Sequence, residues 1–273
     1  MNENPEIGQS VQAAGLATNF LEQGKGQPVL MIHGSGPGVT GYANWRLTMP
    51  ALAENHRVIA PDIPGFGYTE RPADGKYGLD FWTHHMVSFL DALGIEKTHL
   101  VGNSFGGALS LALAARHPDR VDKLVLMGAV GTNFDLTWGL DQVWGYTPSM
   151  ENMRRLIGIF AYNSALVTDD LVNSRYQASM RPGFQESYAR LFPEPRQKQI
   201  SGLATSEADI AKIPHPTLIV HGRDDKVIPL SNSVKLNHLI RQSELHIFGE
   251  CGHWTQIEKK DRFNRLIGDF LAS

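Results

Sequence analysis

The stretch "HLVGNSFGGALSLALAARHP", residues 99–118, constrains the fold of this chain more than any other. An apolar strand pattern enters Gly102-Asn103-Ser104-Phe105-Gly106 and leaves, without a spacer, as a strong helix former. A chain that passes directly from a buried strand into a helix must turn sharply, and glycine tolerates both the dihedrals and the close backbone approach of such a turn. A serine between two such glycines, with a strand before and a helix after, has the context of a nucleophile elbow. That turn lifts the Ser104 hydroxyl to the carboxyl end of a sheet and beside a helix N-terminus, where backbone N–H groups favour negative charge.

The rest of the chain repeats the strand–helix alternation. Short apolar runs at Pro28–Ile32, Val58–Pro61, His99–Gly102, Lys123–Met127, Thr217–Val220 and Leu245–Phe248 are bounded by turn residues. Helical patterns lie between most of them, at Leu79–Leu93, Phe105–Arg116, Ser231–Ile240 and Lys259–Leu271. This predicts an α/β fold, a mostly parallel sheet with helices on both faces. Residues 6–24 read instead as two short strands around Gly15, an antiparallel edge hairpin. Between about Asn133 and Thr205 the alternation stops, and aromatic residues recur at helical spacing without a strand. The expected organisation is a core domain over 1–132 and 206–273, with a helical lid over 133–205 inserted in it.

Composition narrows the function classes. A formal charge of −3 over 273 residues has no basic excess, which argues against nucleic acid. The single cysteine, Cys251, forms no intramolecular disulfide and suits a reducing compartment. No apolar run reaches the roughly 18 residues of a membrane span. "MNENPEIGQS" lacks the regions of a signal peptide, so the expectation is a soluble, cytoplasmic protein.

A serine nucleophile needs a base, and the base an orienting acid. Of eleven histidines, His253 in "FGECGHWTQIE" follows the last strand pattern, in a loop that opens on the same sheet edge as Ser104. His33, His84, His85 and His221 fall where hydrogen-bonded structural roles are expected. The acid belongs between nucleophile and base in the chain. "HGRDDKVIP" offers Asp224 and Asp225, and the flanking glycine and proline favour Asp225 as the inward member. Asp135 is a third candidate. An oxyanion formed at Ser104 needs preorganised donors, expected from the backbone N–H groups of Phe105 and of Ser35 in "HGSGPG". That loop lacks the lysine of a phosphate loop, and no histidine or cysteine cluster suggests a metal.

These residues together resemble the α/β-hydrolase family over essentially the whole chain. "HGSGPGVTGYANWR", "GNSFGG", "WGYTPS", "RPGFQESYARLFPEPRQ", "HGRDDKVIPL" and "GHWTQIE" are similar to the meta-cleavage product hydrolases. Those enzymes cleave a carbon–carbon bond in the 2-hydroxy-6-oxo-dienoates made by ring fission of catechols. The likeness is greatest to members acting on phenol, toluene or alkylbenzene products. The resemblance implies a triad of Ser104, Asp225 and His253, a small-molecule dienoate substrate, no cofactor or metal, and a homo-oligomer, at least a dimer. It places the substrate-carboxylate arginine on Arg181, which by itself reads as a surface ion-pair partner. It places Asn44, Asn103 and Trp254 at the dienoate, and Leu140, Trp144 and Val227 around the C6 substituent.

Two rivals share these features. A carboxylesterase on the same fold would carry the triad but has no need of a buried cation. A small-molecule receptor could keep the triad yet act by lid-dependent partner binding. Relatives with an aspartate nucleophile are disfavoured by the serine at position 104.

Overall fold

The computed structural model describes residues 4–273, which hold one eight-stranded sheet. In chain order the strands are β1 (Gln9–Ala13), β2 (Leu16–Gln23), β3 (Gln27–Ile32), β4 (His56–Pro61), β5 (Thr98–Asn103), β6 (Val121–Met127), β7 (Thr217–Gly222) and β8 (Ser243–Phe248). Their spatial order is β1-β2-β4-β3-β5-β6-β7-β8, with β3 to β8 parallel and β1 and β2 antiparallel at one edge. The edge hairpin turns through Ala14 (φ 48°) and Gly15 (φ 78°), the positive-φ pair that matches the twist of a two-residue connection.

Side chains alternate across the sheet, so one apolar run serves two cores. Along β3, Leu30 and Ile32 join Phe89, Leu100 and Leu109 on one face. Val29 and Met31 join Trp45, Met49, Phe263 and Ile267 on the other. This double burial is why the parallel strands read as continuous apolar runs rather than as alternating ones.

The helices are α1 (Gly41–Trp45), α2 (Met49–Leu52), α3 (Leu79–Ala92) and α4 (Phe105–Arg116), then α5 (Trp138–Trp144), α6 (Met150–Phe160), α7 (Asp169–Ser179), α8 (Phe184–Leu191), α9 (Gln197–Gly202) and α10 (Glu207–Ile210) between β6 and β7. The last three are α11 (Leu230–Leu239), α12 (Thr255–Glu258) and α13 (Lys260–Ala272). Among the described residues no strand interrupts the stretch from β6 to β7. Thr137, Ser149 and Thr168 start α5, α6 and α7 as N-caps, accepting from the backbone N–H of Leu140, Asn152 and Leu171. Each cap satisfies an amide the helix itself cannot, so three short helices can follow one another closely.

Candidate active site

Ser104 sits between β5 and α4 with φ 53° and ψ −112°, a backbone conformation that non-glycine residues rarely hold. The surroundings over-determine it. Its N–H donates to Met127 O at 2.8 Å, and its carbonyl accepts from Val130 N at 3.0 Å and Gly107 N at 2.9 Å. The flanking glycines are demanded by contact. A Cβ at Gly106 would stand 2.2 Å from Ile32 O, and one at Gly102 would meet Ser110 Oγ at 2.4 Å. The turn therefore presses α4 against the ends of β3 and β5, leaving Ser104 on the cavity wall.

His253 faces the same cavity. Its Nδ1 lies 2.7 Å from Asp225 Oδ2, a bond that leaves Nε2 as the ring's free nitrogen. Burial by itself would raise the Asp225 carboxyl. The charges of His253 and His221 and the Val227 N–H outweigh it and hold the group below its ordinary value. Asp225 Oδ1 also accepts from Val227 N at 2.7 Å and Ile228 N at 3.0 Å, so the carboxylate is fixed by its own loop. Asp224 turns away, accepting from Cys251 N at 3.3 Å and pairing with Arg223, and Asp135 is exposed.

The loop after β3 is held by His33, fully buried and lowered to about 4 by desolvation, and therefore neutral. Its Nδ1 donates to Gly34 O at 2.7 Å and its Nε2 accepts from Ile63 N at 2.9 Å. Gly34 N in turn donates to Asn44 Oδ1 at 3.2 Å, which Asn103 Nδ2 also reaches at 2.8 Å. Ser35 follows on the cavity wall. The Phe105 N–H opens α4, where first-turn amides have no acceptor within the helix.

The cavity has a volume of about 250 Å³ and is lined by both apolar and charged side chains. Leu140, Val143, Met153, Ile157 and Val227 make an apolar wall. Arg46, Arg175, Asn44, Gln256 and Glu6 make a polar one. Arg175 is half-buried and anchored by Nη2 on Gly38 O at 2.5 Å. Burial lowers its guanidinium to about 10, with Glu6 opposing and Arg181 and Arg46 reinforcing the shift, so it stays charged at neutral pH. Among the described residues neither Arg175 nor Arg46 has a carboxylate within ion-pair distance.

The alpha/beta hydrolase fold family matches residues 27–260. The chain is 59% identical to the 2-hydroxymuconate semialdehyde hydrolase of Pseudomonas sp. (strain CF600), over 98% of this chain and 95% of that one. A solved meta-cleavage product hydrolase from Pseudomonas fluorescens IP01 (CumD), a serine-to-alanine mutant complexed with acetates, superposes with a TM-score of 0.98. It is 59% identical and covers 98% of this chain and 99% of its own. This chain belongs to the α/β hydrolases, among the meta-cleavage product hydrolases. It is also 57% identical to the 2-hydroxy-6-oxo-2,4-heptadienoate hydrolase of Pseudomonas putida (strain F1), over all of this chain and 99% of that one.

In this hydrolase two expected cavity residues lie elsewhere. Arg181 does not line the cavity: it pairs with Glu6 and lies over the rings of Tyr68 and Phe184, at 5.5 and 5.7 Å. Among the described residues the cations that line the cavity without a carboxylate partner are Arg46 and, six residues before Arg181 on α7, Arg175. Trp144 stands behind the wall, stacked on Phe192 at 4.4 Å, with Val143 taking the surface it was expected to fill. Ser35, Asn44, Asn103, Leu140, Val227 and Trp254 all reach the cavity with Ser104 and His253. Phe105 is not on that lining: its side chain is buried beneath, the ring T-shaped against Trp82 at 4.8 Å.

Proposed function

We propose that this hydrolase cleaves the C5–C6 bond of 2-hydroxy-6-oxohexa-2,4-dienoates bearing hydrogen or a small alkyl group on C6. The products are 2-hydroxypenta-2,4-dienoate and a small carboxylic acid. The observation that carries the reading is the mixed lining of one cavity: Ser104 and His253 share it with apolar side chains and with two arginines that, among the described residues, have no carboxylate within ion-pair distance. A guanidinium fork suits a carboxylate, and Arg175 presents it from a half-buried position anchored on Gly38 O. An ester of two neutral groups needs no such cation, which separates this reading from a general esterase on the same scaffold.

The chemistry follows from that placement. The bound dienol gains a proton at C5 and loses one from its 2-hydroxyl, becoming a keto tautomer with a ketone at C2. Among the described residues Asn44 Nδ2 and Asn103 Oδ1 are buried polar atoms without a protein partner: the first can donate to the C2 oxygen, and the second can accept from the 2-hydroxyl of the dienol. His253 takes the Ser104 proton as Ser104 Oγ adds to C6, and Asp225 stabilises the imidazolium. The C6 oxyanion is received by the Ser35 and Phe105 N–H groups. When the C5–C6 bond breaks, its electron pair runs through C3=C4 into the C2 carbonyl. The dienolate takes the proton held by His253 and leaves as the dienol, so that His253 is neutral again and the acyl group stays on Ser104. Water, deprotonated by His253, then releases the acid.

The test is decay of the coloured dienolate. Purified protein would be offered ring-fission products carrying hydrogen, methyl, isopropyl or phenyl at C6, with Ser104→Ala as control. Fast bleaching of the hydrogen or methyl substrate by the wild type alone is expected. Turnover of an activated ester with no bleaching of any dienoate would make the protein an esterase. The reading includes self-association, at least to a dimer, supported by the exposed apolar side chains of Trp138, Tyr162 and Met180. Sedimentation velocity checks it, and a monomer at micromolar concentration would remove it.

A further inference from the structure

The "GHWTQIE" motif ends in an acid that the triad does not use. Glu258 closes α12, and its carboxylate accepts from three backbone N–H groups. Oε1 receives Gly252 N at 2.7 Å. Oε2 receives Tyr162 N and Asn163 N, each at 2.9 Å. Gly252 immediately precedes His253, and Tyr162 and Asn163 follow the end of α6. One side chain therefore stitches the loop of the base to the helical segment between β6 and β7.

The same junction carries further bonds to the base. Phe160 O, at the last residue of α6, accepts from His253 N at 2.7 Å and from Trp254 N at 3.4 Å. The Phe160 ring lies nearly parallel to those of His253 and Trp254, with centroids at 5.9 and 5.0 Å. A Cβ on Gly252 would meet Phe160 O at 2.5 Å and Tyr162 N at 2.8 Å, so the two backbones are in direct contact. His253 is thus held from two sides. Asp225 fixes Nδ1 from the sheet, and the α6 terminus fixes the backbone.

Residues 162, 163 and 252 lie outside the sheet and the helices, so no ladder offers their amides an acceptor. A carboxylate, with two acceptor oxygens and no donor, can serve all three at once. Glutamine cannot, because its NH2 would face an N–H.

We propose that Glu258 is a positioning residue for His253: it locks the α6 terminus onto the Gly252–His253 loop, so that the imidazole stays in register with Ser104. The proposal rests on the reading of His253 as the base. It makes the base competent only while the end of α6 is seated on its loop.

The experiment compares wild type, Glu258→Gln and Glu258→Asp by steady-state kinetics, thermal melting and site-resolved amide exchange. Glu258→Gln is expected to lower kcat by about tenfold to hundredfold, the penalty of a base displaced by a fraction of an ångström. KM should change little, because the arginine wall is untouched. The Gly252, Tyr162 and Asn163 amides should exchange faster, and Glu258→Asp, which keeps the charge, should recover part of kcat. Faster exchange at those amides with unchanged kcat would overturn the proposal and leave a structural clasp only. A fall in Tm with kcat and KM moving together in both variants would also overturn it. An activated ester is run in parallel, since it needs the same base. If the wild type bleaches no dienoate, the substrate reading fails, and the ester kcat still decides the role of Glu258.

Discussion

Trp144 Nε1 donates to Ser35 Oγ at 3.0 Å, tying α5 to the loop assigned to the oxyanion. The indole is itself clamped by Phe192, the two rings lying within 3° of parallel. Trp144→Phe keeps the stack and removes the donor. The expected outcome is a fall of about tenfold in kcat, the scale of losing one neutral hydrogen bond that orders a catalytic loop. Steady-state kinetics with the preferred dienoate check it, and an unchanged kcat would detach Trp144 from the oxyanion loop.

Arg175 and Arg181 give opposite predictions. Arg175→Gln removes an unpaired guanidinium from the cavity and should cost kcat/KM about tenfold to hundredfold, as for a charge-assisted hydrogen bond. Arg181→Gln breaks the pair with Glu6 but removes no side chain that itself lines the cavity, and should cost much less. A larger loss at Arg181 would return the carboxylate site to the "RPGF" motif.

The contrast marks where the sequence was readable. The central strands β3 to β5 and β7 announced themselves because burial on both faces makes each a largely apolar run, and the elbow because two close approaches leave room only for glycine. Asp225 and His253 were readable because each lies just past a strand, where loops converge on one edge. Arg175 carries no local signal. It sits mid-helix in "VNSRYQAS", with no glycine, proline or second charge beside it to mark a site, and it is held toward the cavity by the bond of its Nη2 to Gly38 O. Arg181 had the more conspicuous setting beside Pro182 and Gly183, but its partner, Glu6, is 175 residues away in the chain.

Three buried histidines make the fold acid-sensitive. Desolvation lowers His33, His85 and His99 to about 4 from the ordinary 6.5. Between about pH 6.5 and 4 the unfolded chain binds protons that the folded chain refuses, so this stability is full above 6.5 and lost as pH falls toward 4. Asp62 runs the other way. Burial raises its carboxyl to about 6 from 3.8, so its ionisation costs stability as pH rises through that interval. Three groups outweigh one, and Tm should fall as pH drops from about 6.5 to 4. Calorimetry across that window checks the sign, and His85→Gln should flatten the slope.

Gly106→Ala should fail to give a stable fold. Its Cβ would lie 2.2 Å from Ile32 O and 2.7 Å from His33 O, backbone atoms at the end of a central strand that cannot yield. The destabilisation is expected to exceed the usual overpacking penalty of about 1–3 kcal/mol. Denaturant titration, or loss of the folded protein on expression, measures it. A variant as stable as wild type would mean that α4 can slide away from β3.

The choice of C6 substituent rests on the apolar wall. Leu140 and Val227 are each 1% exposed and brought together when Thr137 Oγ1, the cap of α5, donates to Val227 O at 2.6 Å. Val227→Ala removes two methyl groups from the wall without touching the triad. A hydrophobic pocket separates ligands by about 1–3 kcal/mol per methylene-sized group, so the kcat/KM ratio of isopropyl to methyl substrate should rise about tenfold. Taking the ratio within one variant cancels any general loss from the smaller side chain. If the ratio stays put while Met153→Ala moves it, the substituent lies against α6 rather than against α5 and the Asp225 loop.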